Sequence, residues 1–258
     1  QPQRYGADAV CGGAFAFGQQ TAVIDATAGN DSAAVASVAA YFSSAPAGMA
    51  SFLTNHDAFA GERLWDQVSG NAAEYRLAAA TNLLQGRTPF LYYGEEIGMA
   101  GGAGLTGDWK LRTPLSWTSS NRGSDGFSTA SPFRASSANV GSNNVLAQAG
   151  VAGSLHSFYK DVIALRKSRP SLTTGEYRNA AASGAVMSFQ RVAGSETTVV
   201  AFNYANSLAT ASLAGLPANA VLRRLWPVGG TNAAADVAGT AQVPMAARSF
   251  TVFAVQAP

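Results

Sequence analysis

The order of apolar and polar positions predicts that helices and strands alternate over the first two thirds of the chain. Helices are expected at 32–43, 71–85 and 155–167, where apolar residues recur every three or four positions. Short apolar runs at 49–53 and 88–93 predict two strands in between. This alternation is typical of βαβ units, in which parallel strands form a sheet covered by helices.

Residues at the ends of these segments support the assignment of the helices. Asp31, Asn71 and Ser154 are placed to cap the three helix N-termini. Gly86 lies just past the second helix, where a glycine in the left-handed conformation is expected. Pro170 is expected to end the third helix.

Two other parts of this region are less regular. Ala14–Phe17 has the pattern of a short buried strand, whereas the pattern over 21–27 is ambiguous. Residues 98–150 are rich in glycine, serine and asparagine and show little periodicity. Because a plain connection of this length is unusual in a compact domain, we expect a functional loop over a site.

From about Gly175 the pattern changes to an alternation of apolar and polar positions, which predicts strands. Stretches with this pattern include 187–190, 200–204, 221–226 and 250–255, and turn residues separate them. Several short strands at this spacing predict an antiparallel β-sandwich.

Composition excludes several classes of function. Of the 258 residues, 47% are hydrophobic, which is enough for a sizeable core. The net charge is +2 without a basic cluster, so no nucleic-acid partner is expected. No apolar run is long enough to span a membrane, and Cys11, the single cysteine, cannot form an intrachain disulfide. Only 12% of the residues are charged, which favours an extracellular or periplasmic protein.

The candidate chemistry follows directly after the run 49–53. Asn55, His56 and Asp57 come at this point, and polar groups at the carboxyl end of a buried parallel strand are typical of a site. From these residues alone, an Asx turn with an exposed acid is an equally good interpretation.

Four segments, taken in order along the chain, resemble the α-amylase family of glycoside hydrolases, which are retaining enzymes that act on α-linked glucans. They are FLTNHD at 52–57, TPFLYYGEEIGM at 88–99, DWKLRTPLSW at 108–117 and SLHSFYKDVIALRKSRPSL at 154–172.

The resemblance implies an α/β fold followed by an all-β one. Residues 1–175 would form the C-terminal part of a catalytic (β/α)8 barrel, with the last three of its strands. Residues 176–258 would form the antiparallel β-sandwich that is the family's C-terminal domain.

The resemblance also assigns roles to three residues. Asp57 resembles the acid that stabilises the transition state, and His56 resembles the histidine that binds sugar hydroxyls next to the scissile bond. Arg112 resembles an arginine that contacts the sugar or braces the site, and a surface ion pair is its alternative interpretation.

Other residues in these segments are expected to have supporting roles. The two glutamates that follow the second predicted strand would brace the barrel rim, and the two tyrosines before them would lie in the barrel core. Three tryptophans would stack on sugar or pack a loop, and a histidine at the start of the last helix would be structural. These residues are Glu95, Glu96, Tyr92, Tyr93, Trp65, Trp109, Trp117 and His156.

Part of the catalytic machinery is expected to lie elsewhere. Retaining chemistry needs a nucleophile and a general acid about 5 Å apart, and no stretch resembles the family strands that carry them. We therefore expect a chain derived from a longer polypeptide, paired with the N-terminal part of that polypeptide and inactive alone. Calcium is common in the family, but most of its ligands would come from that part, and no metal ligand is assigned here.

Several functions remain open at this point. The first is an α-amylase-like hydrolase of α-1,4-glucans, such as starch and maltooligosaccharides. The second is an α-glucosidase or transglycosylase of the same family. The third is a non-catalytic sugar-binding or scaffold fragment, which has no need of an intact Asn-His-Asp triplet.

Overall fold

The structure, a computed structural model, describes residues 12–29, 31–120 and 128–257. Cys11 lies outside these residues. The helices are α1 (Phe17–Ala28), α2 (Ser32–Ser44), α3 (Leu64–Gln67), α4 (Ala72–Gln85), α5 (Gly107–Leu111), α6 (Val145–Gln148), α7 (Leu155–Lys167) and α8 (Pro170–Thr174). The strands are β1 (Ala14–Phe15), β2 (Met49–Ser51), β3 (Thr88–Pro89), β4 (Glu176–Ser183), β5 (Val186–Ala193), β6 (Glu196–Asn203), β7 (Ala209–Leu213), β8 (Val221–Trp226), β9 (Ala233–Ala234), β10 (Ala241–Met245) and β11 (Ser249–Gln256).

The first three strands form a parallel sheet in the order β1-β2-β3. Each strand is followed by at least one helix, which is the βα arrangement that the sequence predicts. The later strands form a six-stranded sheet, β4-β5-β6-β11-β8-β9, and a two-stranded sheet, β10-β7. Neighbouring strands in both sheets run antiparallel, so the α/β then all-β fold class is confirmed.

The parallel strands are shorter than the apolar runs that predict them. The Pro89 nitrogen has no hydrogen to donate to a ladder. A bond from Phe90 N to Ser51 O at 2.7 Å extends the pairing of β3 by one residue. The run at Ala14–Phe17 is also not a four-residue strand. It ends because Gln20 N donates to Ala16 O at 3.0 Å, which starts α1 over the ambiguous stretch.

The predicted helices are confirmed at their N-termini. The side chains of Asp31, Asn71 and Ser154 accept hydrogen bonds from backbone N–H groups two or three residues further on. Pro170 does not itself end α7, which stops at Lys167. It is instead the first residue of α8, where its fixed φ fits a helix start.

The C-terminus of α4 is capped differently from the prediction. Gly86 is extended, with φ −79° and ψ 164°, so it is not a left-handed cap. Buried Arg166 replaces that cap, because its guanidinium donates to Leu83 O at 2.8 Å, Gly86 O at 3.0 Å and Arg87 O at 2.5 Å. A cation at a helix C-terminus also interacts favourably with the helix dipole.

A second buried arginine connects α4 to the antiparallel region. Arg191 on β5 donates to Gln85 O and, at 3.0 Å, to Gly175 O. Tyr204 adds a contact through its hydroxyl, which lies 2.6 Å from Thr81 Oγ1. The connection between the two parts is therefore polar as well as apolar.

One hydrophobic core runs through both parts of the chain. Leu84 of α4 and Val162 of α7 belong to the same buried cluster as Phe189 and Phe202 of the larger antiparallel sheet. The opposite face of that sheet packs on β7 and β10 through a second cluster. Because the first core is shared, the division into residues 1–175 and 176–258 stays a prediction.

Among the described residues, no helix has the length and apolar content to cross a membrane.

Replacing Arg166 by methionine should destabilise the fold. The change keeps an unbranched side chain but leaves three carbonyls, two of them buried, without their donor, so we expect a loss of about 3 kcal/mol in the free energy of unfolding. Urea denaturation measures it. The control is Arg178→Met, which removes an exposed ion pair with Glu176 and should cost less than about 1 kcal/mol. Equal losses would contradict this role of Arg166.

Candidate active site

The loop after β2 places the predicted acid by means of an Asx turn. Asn55 Oδ1 accepts a hydrogen bond from Asp57 N at 2.8 Å. The turn and the site are thus not alternatives, because the turn orients the acid. His56 Nε2 lies 3.3 Å from Asp57 Oδ1, and the two side chains are 62% and 31% exposed.

Arg112 contacts both of these residues. The sequence predicts it in the same site as His56 and Asp57. Its Nη2 is 2.7 Å from Asp57 Oδ1, and its Nε donates to His56 O at 2.8 Å. One guanidinium therefore contacts the backbone of one site residue and the carboxylate of the next.

Asp108 is a further member of this cluster, and the sequence reasoning assigned it no role. Its Oδ2 lies 2.8 Å from Arg112 Nη2, and its Oδ1 accepts a hydrogen bond from Ala58 N at 2.8 Å. The signal for it is the spacing, since an acid four residues before an arginine in a helix is placed to pair with it. Asp108 thus ties α5 to the loop that carries Asp57.

A cavity of about 320 Å³ opens beside these residues. Its polar side includes His56 and Asp57, and its walls are mainly aromatic. Asp57 is the one carboxylate that lines it among the described residues. Phe15, on the outer strand β1, and Phe90, directly after the outer strand β3, are 43% and 47% exposed. The aromatic lining comprises Phe15, Phe17, Phe52, Phe90 and Tyr92.

Behind the cavity, Glu95 supports the same loop from inside. Its carboxyl accepts a hydrogen bond from Thr54 Oγ1, and its carbonyl accepts one from the Tyr75 hydroxyl at 2.7 Å. Burial raises the pKa of Glu95 to about 8, although the hydrogen bond from Thr54 and the charge of Arg63 act in the opposite direction. This glutamate braces the loop and does not face the cavity. Glu96 accepts a local hydrogen bond from Gly94 N at 2.8 Å.

Arg63 is the second buried support, and the sequence reasoning gave it no role. Its side chain donates to Tyr93 O and, at 2.6 Å, to Leu111 O. Its guanidinium lies 4.3 Å and 4.6 Å from the ring centres of Tyr92 and Tyr93. Arg63 thus links the segment after β3 to the C-terminus of α5.

The two tyrosines are only partly buried, and their hydroxyls donate to backbone carbonyls, so they lie at the rim instead of in a core.

The remaining sequence candidates lie outside the cavity. Trp65 packs against Tyr75 at 5.9 Å between ring centres, so it has a packing role. Trp109 and Trp117 are about half exposed on the long segment after β3. His156 lies in the first turn of α7, where its backbone N–H donates to Gln148 Oε1 at 3.2 Å.

No metal centre is visible in the part of the chain that the structure describes, because it contains no group of three or more histidine, cysteine, aspartate or glutamate side chains suited to hold an ion.

Comparison with known proteins identifies the class to which this arrangement belongs. The family model described as "Alpha amylase, catalytic domain" matches residues 16–175. An α-amylase structure from H. orenii superposes with a TM-score of 0.71 and 25% identity, over 94% of this chain and 48% of that one. A trehalulose synthase structure from Pseudomonas mesoacidophila superposes with a TM-score of 0.66 and 22% identity. The match covers 87% of this chain and 46% of that one.

The curated relatives are also enzymes of this class. A probable α-glucosidase of Rhizobium meliloti is 29% identical over 204 residues, which are 72% of this chain and 35% of the relative. Neopullulanase 2 of Thermoactinomyces vulgaris is 31% identical over 141 residues, which are 54% of this chain and 18% of the relative. The chain therefore spans about a third or less of the length of these relatives.

A parallel sheet with following helices, and a cluster of a carboxylate, a histidine and an arginine beyond the end of its central strand, define an α/β protein with a candidate active site. More narrowly, the chain belongs to the α-amylase family of glycoside hydrolases and transglycosylases.

Glu95 should make stability depend on pH. Its pKa is raised from the unfolded value of 4.5 to about 8, so the folded state binds the extra proton between these values. Stability should fall as the pH rises from 5 to 8, by up to about 1.4 kcal/mol per pH unit from this group, and then level off. Thermal melts across this range measure the effect.

Glu95→Gln should remove this part of the slope, because glutamine cannot titrate. Glu176→Gln, an exposed glutamate on β4, is the matched control and should leave the slope unchanged. The assignment would be refuted by a Glu95→Gln slope equal to that of the unchanged protein.

Proposed function

We propose that the chain belongs to a retaining, α-amylase-like hydrolase of α-1,4-glucans, such as starch and maltooligosaccharides, and supplies its transition-state-stabilising acid. The observation that carries the proposal is the placement of His56 and Asp57 in the loop after β2, beside an aromatic cavity, with Arg112 from the end of α5 in contact with both. An aromatic wall with a few polar groups suits a sugar ring, which has apolar faces and a polar edge.

The role of Asp57 follows from the charge of the transition state. Cleavage of a glycosidic bond passes through an oxocarbenium-like state, with positive charge near the ring. A carboxylate fixed before the reaction stabilises that charge without having to reorganise. Arg112 and His56 both contact Oδ1 of Asp57, so we assign the other oxygen, Oδ2, to the sugar.

His56 is assigned to the sugar hydroxyls. Its side chain is mostly exposed and adjoins Asp57 in the same cavity. Hydrogen bonds to the 2-hydroxyl strengthen in the transition state, so such a donor contributes to the rate. Arg112 then holds Asp57 and the backbone of His56 in one arrangement.

The nucleophile and the general acid are proposed to come from a partner, the N-terminal part of the same polypeptide. The physical support is the sheet, because β1 and β3 are its edges. Phe15 on β1 and Phe90, which directly follows β3, are about half exposed. Uncovered strand edges and aromatic faces of this kind favour pairing with further strands. The chain alone should accordingly be inactive.

Two alternatives have specific support. An α-glucosidase or a transglycosylase agrees with the similarity to the Rhizobium meliloti protein and to a trehalose synthase/amylase of Mycobacterium tuberculosis, which is 31% identical over 147 residues. A non-catalytic sugar-binding fragment agrees with the single carboxylate in the described part of the cavity. Product analysis with maltoheptaose separates these functions, since a transglycosylase forms longer products and a binding fragment forms none.

An extracellular or periplasmic location is part of the proposal. Its support is compositional, because only 12% of the residues are charged. Fractionation of the source cells, followed by immunoblotting, should find the protein outside the cytoplasm. Recovery in the cytoplasmic fraction alone would refute the location without affecting the assignment of Asp57.

Asp57→Asn should lower the kcat for maltoheptaose on the order of 10³-fold in the complete barrel, assembled from this chain and its proposed N-terminal part. The amide removes the negative charge that the transition state requires. Asp161→Asn, an exposed acid on α7, is the matched control and should leave kcat unchanged. Turnover by the chain alone, or full activity after Asp57→Asn, would show that Asp57 does not have this role.

A further inference from the structure

A cavity of about 610 Å³ lies between the helices and the antiparallel sheets. Residues in the first halves of α4 and α7 form one side of it, and the ends of β8 and β10 and the start of β11 form the other. Among the described residues, none lines both this cavity and the Asp57 cavity. Its volume lies within the range of about 300–1,000 Å³ that is usual for sites of small organic ligands.

Three aromatic side chains form an apolar wall of this cavity. Trp226 and Phe250 lie nearly parallel, with 5.3 Å between their ring centres and 11° between their ring planes. Phe158 meets both in the edge-to-face manner, at 5.9 Å from Trp226 and 6.2 Å from Phe250. Phe158 and Phe250 are buried, whereas Trp226 is partly exposed. Because the rings hold one another in place, they offer a firm apolar surface to a further ring.

Arg248 connects the two sides of the cavity. Its Nη2 lies 3.0 Å from Glu74 Oε1 on α4, and both side chains are largely buried. Its Nη1 donates to Thr27 O at 2.9 Å. The backbone of Arg248 has a φ of 46°, a left-handed conformation that persists in a residue other than glycine only where the surrounding contacts fix it. The cavity is therefore preformed, and a ligand does not have to order its walls.

Two other arginines line the cavity and have no carboxylate partner among the described residues. Arg76 Nη2 donates to Gly153 O at 2.6 Å. Arg224 Nε donates to Thr231 O at 2.6 Å, and its Nη1 donates to Thr251 Oγ1 at 2.7 Å. Partial burial lowers the pKa of Arg224, because no carboxylate nearby offsets the loss of water. Each guanidinium has further N–H donors that these contacts leave unused.

The polar groups of the cavity favour an anion over a sugar. The hydroxyls of Ser249 and Thr251 already donate to backbone carbonyls, at 2.7 Å and 2.9 Å. The unused donors are thus on the guanidiniums, and a guanidinium can bind a carboxylate through two parallel hydrogen bonds. Asp161, an exposed residue, is the one carboxylate that lines the cavity in the described part of the chain. Two unpaired arginines and one aspartate leave a net positive charge.

We propose that this cavity is a binding site for an aromatic carboxylate, whose ring packs against Trp226 and Phe250 and whose carboxylate accepts hydrogen bonds from Arg76 and Arg224. The proposal does not depend on the proposed function, because the two cavities have no described lining residue in common. A ligand in this place contacts both the helices and the antiparallel sheets. Its binding therefore stabilises the connection between the two parts of the fold.

The test is a calorimetric titration of the full chain with 1-naphthylacetate and, separately, with 1-naphthylacetamide, its uncharged analogue. Arg76→Met and Arg224→Met should each raise the Kd for the acid about tenfold, because each removes a charge-assisted hydrogen bond. The Kd for the amide should change less than about twofold, which also verifies that each variant is folded with its cavity intact. Asp161→Asn should lower the Kd for the acid, since it removes a like charge from the cavity.

Arg223→Met is the matched control, because Arg223 is exposed, directly precedes Arg224 on β8 and does not line the cavity. It should change neither Kd. Equal Kd values for the acid and the amide in the unchanged chain, or an acid Kd that neither Arg76→Met nor Arg224→Met raises, would overturn the proposal. A chain that binds neither probe would also overturn it, and displacement of the acid by maltose would show a sugar site instead.

Discussion

The candidate site depends on the contacts of one guanidinium. Arg112 holds the carboxylate of Asp57, the carbonyl of His56 and the carboxylate of Asp108 at 2.7–2.8 Å. These contacts join a loop after β2 to a helix about 50 residues later in the sequence. The guanidinium of Arg112 is planar and carries several N–H donors. It can therefore fix the orientation of the Asp57 carboxylate as well as neutralise its charge.

The loop that Arg112 holds is supported from below by buried polar groups. Glu95 accepts a hydrogen bond from Thr54, and Arg63 binds the carbonyls of Tyr93 and Leu111. Such groups cost free energy to bury, and removing one partner leaves the other unsatisfied. The energetic consequence is a loop that resists displacement when a sugar enters, which is the condition for a preorganised site.

The sequence was sufficient for most of the fold, since the helices at 71–85 and 155–167 have strong periodicity and capping residues. It failed where tertiary contacts replace local signals. Gly86 is the usual residue for a helix end, but the caps come from Arg166 and Arg191, which are 80 and more residues away. The strand β3 is shorter than its apolar run at 88–93. A strand extends only as far as its backbone pairs with a neighbouring strand, and the pattern of apolar residues within one segment does not show where that pairing ends.

For the site, the sequence identified residues that lie in recognisable motifs. It missed residues whose role comes from contacts with distant parts of the chain. Asp57, His56 and Arg112 lie together in the structure, and their assigned roles stay predictions. Asp108 was detectable from its spacing to Arg112 in a short helix. Arg63 was not, because its function comes from contacts with carbonyls 30 and 48 residues away.

The most direct measurement is a crystal structure of the complete barrel, assembled from this chain and its proposed N-terminal part, after soaking with maltoheptaose. We predict a glucosyl ring within hydrogen-bond distance of His56 and Asp57, with the Asp57–Arg112 contact retained. Oligosaccharide bound at another place, with no sugar beside Asp57, would contradict it.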